Sequence, residues 1–134
     1  MTSRDIELVD MRPEILSAIV THFMSLDEQF QNKTLRPIIT LQRDLLLAAF
    51  RNYVQKHKNV FYTLQLDKRM EYIDNAIQKD IKFRNSLKGM IIGHFTVDEY
   101  ENYIENSSAL NKRMMNLVNE CIKSQLQLLE MVHI

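Results

Sequence analysis

The side chains with the widest chemical range in this chain are its four histidines, His22, His57, His94 and His133. Imidazole is a common metal ligand and exchanges protons near neutral pH. No two of the four lie three or four residues apart, so no pair shares one turn of a helix. Glu130 and His133 have the Glu-x-x-His spacing of di-iron bundles, but such a centre requires two copies of the motif. The spacing therefore predicts no metal centre.

Nucleophilic catalysis has equally little support in the sequence. The single cysteine, Cys121, cannot form an internal disulfide, and its position on an apolar helical stripe is typical of an inert buried thiol. No serine lies in a Gly-x-Ser-x-Gly turn, and no glycine-rich phosphate loop is present. The sequence thus identifies no catalytic residue and disfavours an enzyme. It leaves open an active site whose residues converge from distant helices without a linear motif.

Both glycines of the chain fall in one stretch, at Gly89 and Gly93. Glycine favours turns because it accepts positive φ and lets another backbone come close. Thr96 and Glu99 follow with the spacing of a capping box, in which each side chain binds a free backbone N–H at a helix start. The stretch 89–95 is therefore predicted to be a corner at which one helix ends before another begins.

The same corner has a second interpretation, as the wall of a pocket for an apolar small molecule or for haem. Its candidate lining consists of Met90, Ile91, His94 and Phe95. A single buried histidine can ligate haem in a helical domain, and His57, near a predicted helix end, is the other candidate ligand. The turn signals favour the simpler interpretation, an interhelical corner that requires no cofactor.

The composition predicts an all-α protein. The 134 residues include only two glycines and two prolines, whereas an all-β domain requires many turns. Apolar side chains recur at helical spacing along most of the chain. We expect a single all-helical domain over 12–134, preceded by a loose lead-in over 1–11. The domain is predicted to be a bundle of four long helices and one or two short ones.

Capping residues and breaks in the apolar pattern predict the helix boundaries. Pro13 and Pro37 suit the first turns of two helices, which a polar connection over 31–34 would separate. Asp67 suits the cap of a third helix that runs to the corner. The region 97–131 fits either one helix or two, because its polar residues near position 107 could end a helix or lie inside one.

Two alternatives remain open at these boundaries. Ser25 and Glu28 could form another capping box, in which case the first helix would break there. Asn59 is a plausible breakpoint after the second helix, followed by a short separate helix.

Two features suggest contact with another protein or with a second copy of the chain. An acidic, aromatic segment after the corner contains Tyr100 and Tyr103, and tyrosine is common at interfaces. The C-terminal end stays apolar and contains Leu128 and Met131, and the chain has eight methionines, which suit adaptable surfaces. These four residues are the candidate interface residues. The alternative is that the apolar residues are ordinary core and that the acids simply favour a helix start.

The charge balance and the apolar runs limit the partners and the location. Lysine and arginine equal aspartate and glutamate at 17 each, so the chain lacks the basic excess typical of nucleic-acid binding. The longest obvious apolar run, at 45–50, is far too short to span a bilayer, and the N-terminus lacks the apolar core of a signal peptide. We expect a cytoplasmic protein with neither a membrane segment nor a nucleic-acid partner.

The sequence leads to one main functional hypothesis and two alternatives. The main one is a regulatory or adaptor module that acts by protein–protein contact, with a homodimer as its expected state. The first alternative is a ligand-sensing domain of a signalling system, with its apolar or haem pocket at the corner. The second is a small nucleic-acid-associated factor, which the neutral composition disfavours.

Overall fold

A computed structural model describes residues 1–15 and 20–129, which contain helices and no β-strand, so the all-α prediction is confirmed. The α-helices are α1 (Ser3–Asp10), α2 (Leu26–Phe30), α3 (Arg36–Leu41), α4 (Arg43–Lys56), α5 (Leu66–Lys79), α6 (Ile81–Ile92), α7 (Val97–Glu105) and α8 (Ser107–Ser124). A π-helical turn, Gln31–Leu35, joins α2 to α3. Short 3-10 helices lie at Val60–Thr63 and Leu126–Leu129.

Helix α8 is the centre of the bundle, because α3, α4, α5, α6 and α7 all contact it. It has 18 residues and buries a continuous apolar side that includes Met114, Val118 and Ile122. Each fully buried side chain of this kind contributes about 1.5–3 kcal/mol relative to an exposed one. Cys121 lies on the same helix and is partly buried, and burial raises the pKa of its thiol. The thiol therefore stays protonated, as expected for an unreactive cysteine.

The N-terminal residues differ from the predicted loose lead-in over 1–11, because they form α1. Thr2 caps this helix, and its hydroxyl oxygen accepts a hydrogen bond from the Asp5 N–H at 3.1 Å. Asp5 is buried although it is charged. The Thr2 cap is the one local signal of this helix, whereas its other supports are backbone groups roughly 90 residues further along the chain.

The first predicted helix start, at Pro13, is wrong, since residues 13–15 are not helical. The alternative helix start at Ser25 is confirmed with one half of its predicted capping box, since the Ser25 side-chain oxygen accepts a hydrogen bond from the Glu28 N–H at 3.1 Å. The predicted polar connection over 31–34 is also wrong, because that segment forms the π-helical turn. Proline has no N–H and its ring crowds the carbonyl one turn earlier, so a wide turn just before Pro37 relieves that contact.

The long third helix predicted to run from Asp67 to the corner is in fact two helices. Asp80 leaves the helical conformation with ψ of 96°, and its carboxylate accepts a hydrogen bond from the Phe83 N–H at 3.1 Å. Asp80 thus starts α6, whereas Asp67 lies inside the first turn of α5 and is not its cap. Residues 97–129 also form more than one helix. Asn106 has φ of −145°, which is outside the helical range, and it separates α7 from α8.

The corner lies where the sequence predicts it, but the glycines have a different role. Helix α6 ends at Ile92, and the capping box of Thr96 and Glu99 at the start of α7 is confirmed in both halves. Neither glycine has positive φ. A Cβ atom added at Gly93 would lie 3.1 Å from the Gly89 carbonyl oxygen, so Gly93 permits a close approach. Among the described residues, Lys58 and Asn59 are the ones in the left-handed conformation. Asn59 separates α4 from the short helix that follows, as predicted.

Removal of the Asp80 cap should destabilise the protein measurably. We expect Asp80→Ala to lower the free energy of unfolding by about 1 kcal/mol, because the Phe83 N–H loses its partner. Urea denaturation followed by circular dichroism measures this change. Asp80→Asn is the matched control, since asparagine caps helices about as well as aspartate. An equal loss in both variants would show that the cap is not the source of the effect.

Candidate functional site

Three of the four predicted pocket residues at the corner are packed into or against the core. Ile91 and Phe95 are 0% and 2% exposed and belong to the core, and Met90 is partly buried against it. The Phe95 ring meets Phe30 and Tyr103 in edge-on contacts, with centroids 5.5 and 5.6 Å apart. Two surface grooves, one beside α7 and one where α5 meets α6, contain none of these four predicted pocket residues in their linings. These contacts favour the interhelical corner over the apolar or haem pocket.

A buried ion pair joins the N-terminal segment to the start of α7. The Arg12 guanidinium binds both carboxylate oxygens of Glu99, at 2.6 and 2.8 Å. The two side chains are only 9% and 16% exposed. Glu99 also accepts hydrogen bonds from the Thr34 hydroxyl at 2.9 Å and from the Thr96 N–H at 2.8 Å. The carboxylate therefore has four donors, which is what a buried charge requires.

The ionisation of this network follows from its geometry. Burial alone would raise the pKa of Glu99, but the Arg12 guanidinium, the Thr96 N–H and the Thr34 hydroxyl together lower it below the usual 4.5. Burial, with the positive charges of Arg12 and Arg4, also lowers the pKa of His94. The His94 ring is therefore neutral at pH 7, and its buried Nδ1 has no hydrogen-bond partner among the described atoms.

Free backbone groups of the corner are bound by the N-terminal segment. Arg4 donates to the carbonyl oxygens of Gly93 and Phe95, each at 3.0 Å, and Arg12 donates to that of His94 at 2.9 Å. Asp5 accepts a hydrogen bond from the Val97 N–H at 3.3 Å. The guanidinium groups thus bind carbonyl oxygens of the loop that joins α6 to α7. The Asp5 carboxylate binds the amide end of α7, where a negative charge complements the helix dipole.

Sequence reasoning identified Glu99 and Thr96 but missed Arg4, Arg12 and Thr34. Thr34 lies 65 positions from Glu99 along the chain, and Arg12 lies 87 positions from it. Arg4 lies 89 positions from Gly93, whose carbonyl oxygen it binds. No periodicity or local motif links residues so far apart. The one available signal was the position of Arg4 and Arg12 among the acids of the first 14 residues, and this position indicates no partner.

A groove runs beside α7, and we call it the corner groove. Its volume is about 930 Å³. The apolar part of its lining comprises Met1, Val9, Pro13, Leu26, Phe30, Pro37 and Leu110. The charged part comprises Arg12, Asp27, Lys33, Asp98, Glu99 and Glu105. One wall is therefore the Arg12–Glu99 pair, and the rim carries further carboxylates.

Another face of α7 carries exposed apolar side chains, and we call it the α7 stripe. It consists of Val97, Tyr100 and Ile104, which are 51%, 47% and 54% exposed. Their i, i+3, i+7 spacing places them on one side of the helix. The predicted interface residue Tyr103 points elsewhere, since it is buried and its hydroxyl donates to the Asn111 side chain at 2.5 Å. Tyr100 is thus the tyrosine that is available to a partner.

The predicted C-terminal interface residues are only partly described. Leu128 is 56% exposed, and its carbonyl oxygen accepts a hydrogen bond from Arg51. Its neighbour Leu129 is buried in the core, so the apolar C-terminal run serves both the core and the surface. Met131 lies outside the described residues.

A second groove, of about 760 Å³, lies where α5 meets α6 and includes Tyr53, Tyr72 and Asp80 in its lining. Burial, together with the Asp80 carboxylate, raises the pKa of Tyr53 to about 12. The Tyr53 ring is stacked between His57 and Phe83, with centroids 4.1 and 4.3 Å away. Since both faces of this ring are covered, it offers no π surface to a cation or a flat ligand.

No protein-family model, curated protein or solved structure matches the chain. None of the described helices is long and apolar enough to cross a membrane. Over residues 1–15 and 20–129, no three histidine, cysteine or acidic side chains come together in a way that could hold a metal ion. Three features of the described residues bear on function: the corner groove, the α7 stripe, and the corner network, which consists of Arg4, Asp5, Arg12, Thr34, Thr96 and Glu99.

Loss of the buried ion pair should cost far more stability than loss of an exposed one. We expect Arg12→Met to lower the free energy of unfolding by about 3 kcal/mol, because Glu99 is left as a buried charge. Arg43→Met is the matched control, since Arg43 pairs with Asp44 at 3.6 Å and these side chains are 49% and 91% exposed. Its loss should be within about 0.5 kcal/mol. Urea denaturation measures both, and equal losses would contradict a structural role for Arg12.

The lowered pKa of Glu99 predicts a specific acid sensitivity. A carboxylate with a folded-state pKa below its unfolded-state value stabilises the fold above the unfolded-state pKa, and this contribution is lost as the pH falls through the folded-state pKa. The stability difference between the native protein and Glu99→Gln should therefore shrink as the pH falls below about 4.5. Denaturation curves over this pH range measure the difference. A difference independent of pH would contradict the ionised state of Glu99.

Proposed function

We propose that the protein is a regulatory or adaptor module of the cytoplasm that works by protein–protein contact, with α7 as its recognition helix. The observation that carries this proposal is the α7 stripe, in which Val97, Tyr100 and Ile104 are exposed on one helix side. Scattered single apolar residues on a surface need no explanation, but a row at helical spacing resembles one half of a helix–helix contact. Tyrosine in such a row supplies both apolar area and a hydroxyl.

The corner network supports this role because it holds α7 in a fixed orientation before any partner binds. The Arg12–Glu99 pair, the Asp5 contact to Val97 and the capping box all act on the first turn of α7. A pre-formed surface loses little conformational freedom on binding, so more of the contact energy contributes to affinity. A helix of nine residues would be only marginally stable without such support.

The charges of α7 favour a different protein over a second copy of the chain at this face. The helix carries Asp98, Glu99, Glu101 and Glu105 and no basic residue. Arg12 neutralises only Glu99. Two α7 helices packed face to face would bring the remaining carboxylates close together, and like charges across an interface are unfavourable. The homodimer expected from the sequence stays a prediction, and the exposed Leu128 is a better contact for it than α7.

Site-specific photocrosslinking in cells tests the proposal. A benzophenone amino acid replaces Tyr100 in one variant and Leu66, which is 65% exposed on α5, in the control. We expect a discrete adduct from position 100 that is absent from position 66. Ile104→Ser should remove most of the adduct, because a buried isoleucine contributes about 1.5–3 kcal/mol. Ile81→Ser, at a 71% exposed position on α6, is the matched control and should leave the adduct unchanged.

The outcomes of this experiment separate the competing proposals. Equal adducts from positions 100 and 66, or no adduct from position 100, would contradict recognition through α7. An adduct at twice the chain mass of 15.9 kDa would mean that α7 contacts a second copy, against the charge argument. An adduct at another mass, lost in Ile104→Ser alone, would support contact with a different protein.

A further inference from the structure

The corner groove has an unbalanced charge at its rim. Asp27, Asp98 and Glu105 line it, and over residues 1–15 and 20–129 no lysine or arginine forms an ion pair with any of them. Asp27 accepts two hydrogen bonds from the neutral Asn106 amide, at 2.9 and 3.1 Å, so its charge is not compensated. Lys33 is the one lysine or arginine of the lining outside the Arg12–Glu99 pair, and Met1 with its N-terminal amino group also belongs to the lining, so three carboxylates face two cationic groups. The rim is therefore acidic overall.

The floor and one edge of the same groove are apolar. Leu110 is 2% exposed and forms part of the floor, and Phe30 packs against the core beside it. Leu26 stands at the edge and is 81% exposed, which is a large exposure for a leucine next to a groove. An apolar floor with a charged rim is the usual surface for an amphipathic helix, whose apolar side enters the groove while its polar side meets the rim.

The spacing of the acids along α7 matches a helix lying beside it. Asp98, Asn102 and Glu105 all line the groove and follow one another at i, i+4 and i+7. Seven residues of α-helix span about 10 Å. A neighbouring helix with two basic residues seven positions apart would place one near each carboxylate. Apolar residues between them would face Phe30 and Leu110.

We propose that the corner groove binds a basic amphipathic helix of a partner protein. This inference rests on the proposed function and names the chemistry of the partner. The groove has a volume of about 930 Å³, which is large enough for several side chains from one face of a helix. Oppositely charged rims mainly raise the association rate and discriminate against wrong partners. The apolar floor provides most of the affinity.

Two fluorescein-labelled peptides of about 18 residues test the inference, since this length forms a helix readily. One is an amphipathic Leu/Ala/Lys helix with lysines seven positions apart, and the other has every lysine replaced by glutamate. Fluorescence anisotropy with the full chain measures the Kd of each peptide at low and at physiological salt. We expect saturable binding of the lysine peptide that weakens with salt, and at least tenfold weaker binding of the glutamate peptide.

Charge-reversal variants locate the binding. Asp98→Lys/Glu105→Lys should weaken binding of the lysine peptide at least tenfold and strengthen that of the glutamate peptide. The matched control is Asp44→Lys/Glu71→Lys, which changes the net charge equally at side chains that are 91% and 64% exposed away from the groove. It should change the Kd by less than about threefold. Leu26→Ser tests the apolar edge without a change in charge and should weaken binding of the lysine peptide, whereas its control Leu66→Ser, at an exposed position on α5, should not.

Each other outcome overturns a defined part of the account. Equal binding of both peptides, no saturable binding, or equal effects of the two double variants would overturn the basic-helix inference. An adduct at position 100 in the photocrosslinking experiment would still support recognition through α7. If the peptide experiment failed and position 100 also gave no adduct, the proposed function would be overturned together with the basic-helix inference. Unchanged thermal unfolding of all variants, checked by circular dichroism, excludes misfolding as the cause.

Discussion

The corner of this bundle depends on the ion pair between Arg12 and Glu99. Burial of a charge in a protein interior is strongly unfavourable unless the charge is paired and hydrogen-bonded. Here the carboxylate has four donors, while Arg12 also holds the His94 carbonyl. The pair connects the N-terminal segment, the π-helical turn and α7. Removal of either partner would leave the other buried and would loosen all three at once.

Helix α7 has three distinct sides as a result. Glu99 and Tyr103 face the corner network and the core, where Tyr103 contacts Phe95. Asp98, Asn102 and Glu105 line the corner groove. The α7 stripe faces outward. A short helix that carries two accessible surfaces of different chemistry, one apolar and one acidic, is well suited to selecting a partner, because apolar contact supplies affinity and charge supplies discrimination.

The parts of the fold that could be predicted from the sequence are those encoded locally. The capping box at Thr96, the break at Asn59 and the helical periodicity each involve residues within about two turns of one another. The roles of Arg12 and Thr34 could not be predicted, because each depends on a partner far along the chain, and helix α1 has only its Thr2 cap as a local signal. The split at Asp80 was missed because apolar spacing continues across it, although the side chain itself is a good cap. Of the two tyrosines predicted as interface residues, Tyr100 is exposed and belongs to the α7 stripe, whereas Tyr103 is buried in the core. The sequence prediction does not include the other two residues of the stripe, Val97 and Ile104.

A double-mutant cycle between Arg12 and Glu99 tests the central claim most directly. The free energies of unfolding of the native protein, Arg12→Met, Glu99→Gln and the double variant together give the coupling energy between the two side chains. If the pair holds the corner together, the double variant should be much less destabilised than the sum of the single variants, with a coupling of about 2 kcal/mol or more. Additive losses, with a coupling below about 0.5 kcal/mol, would contradict the account.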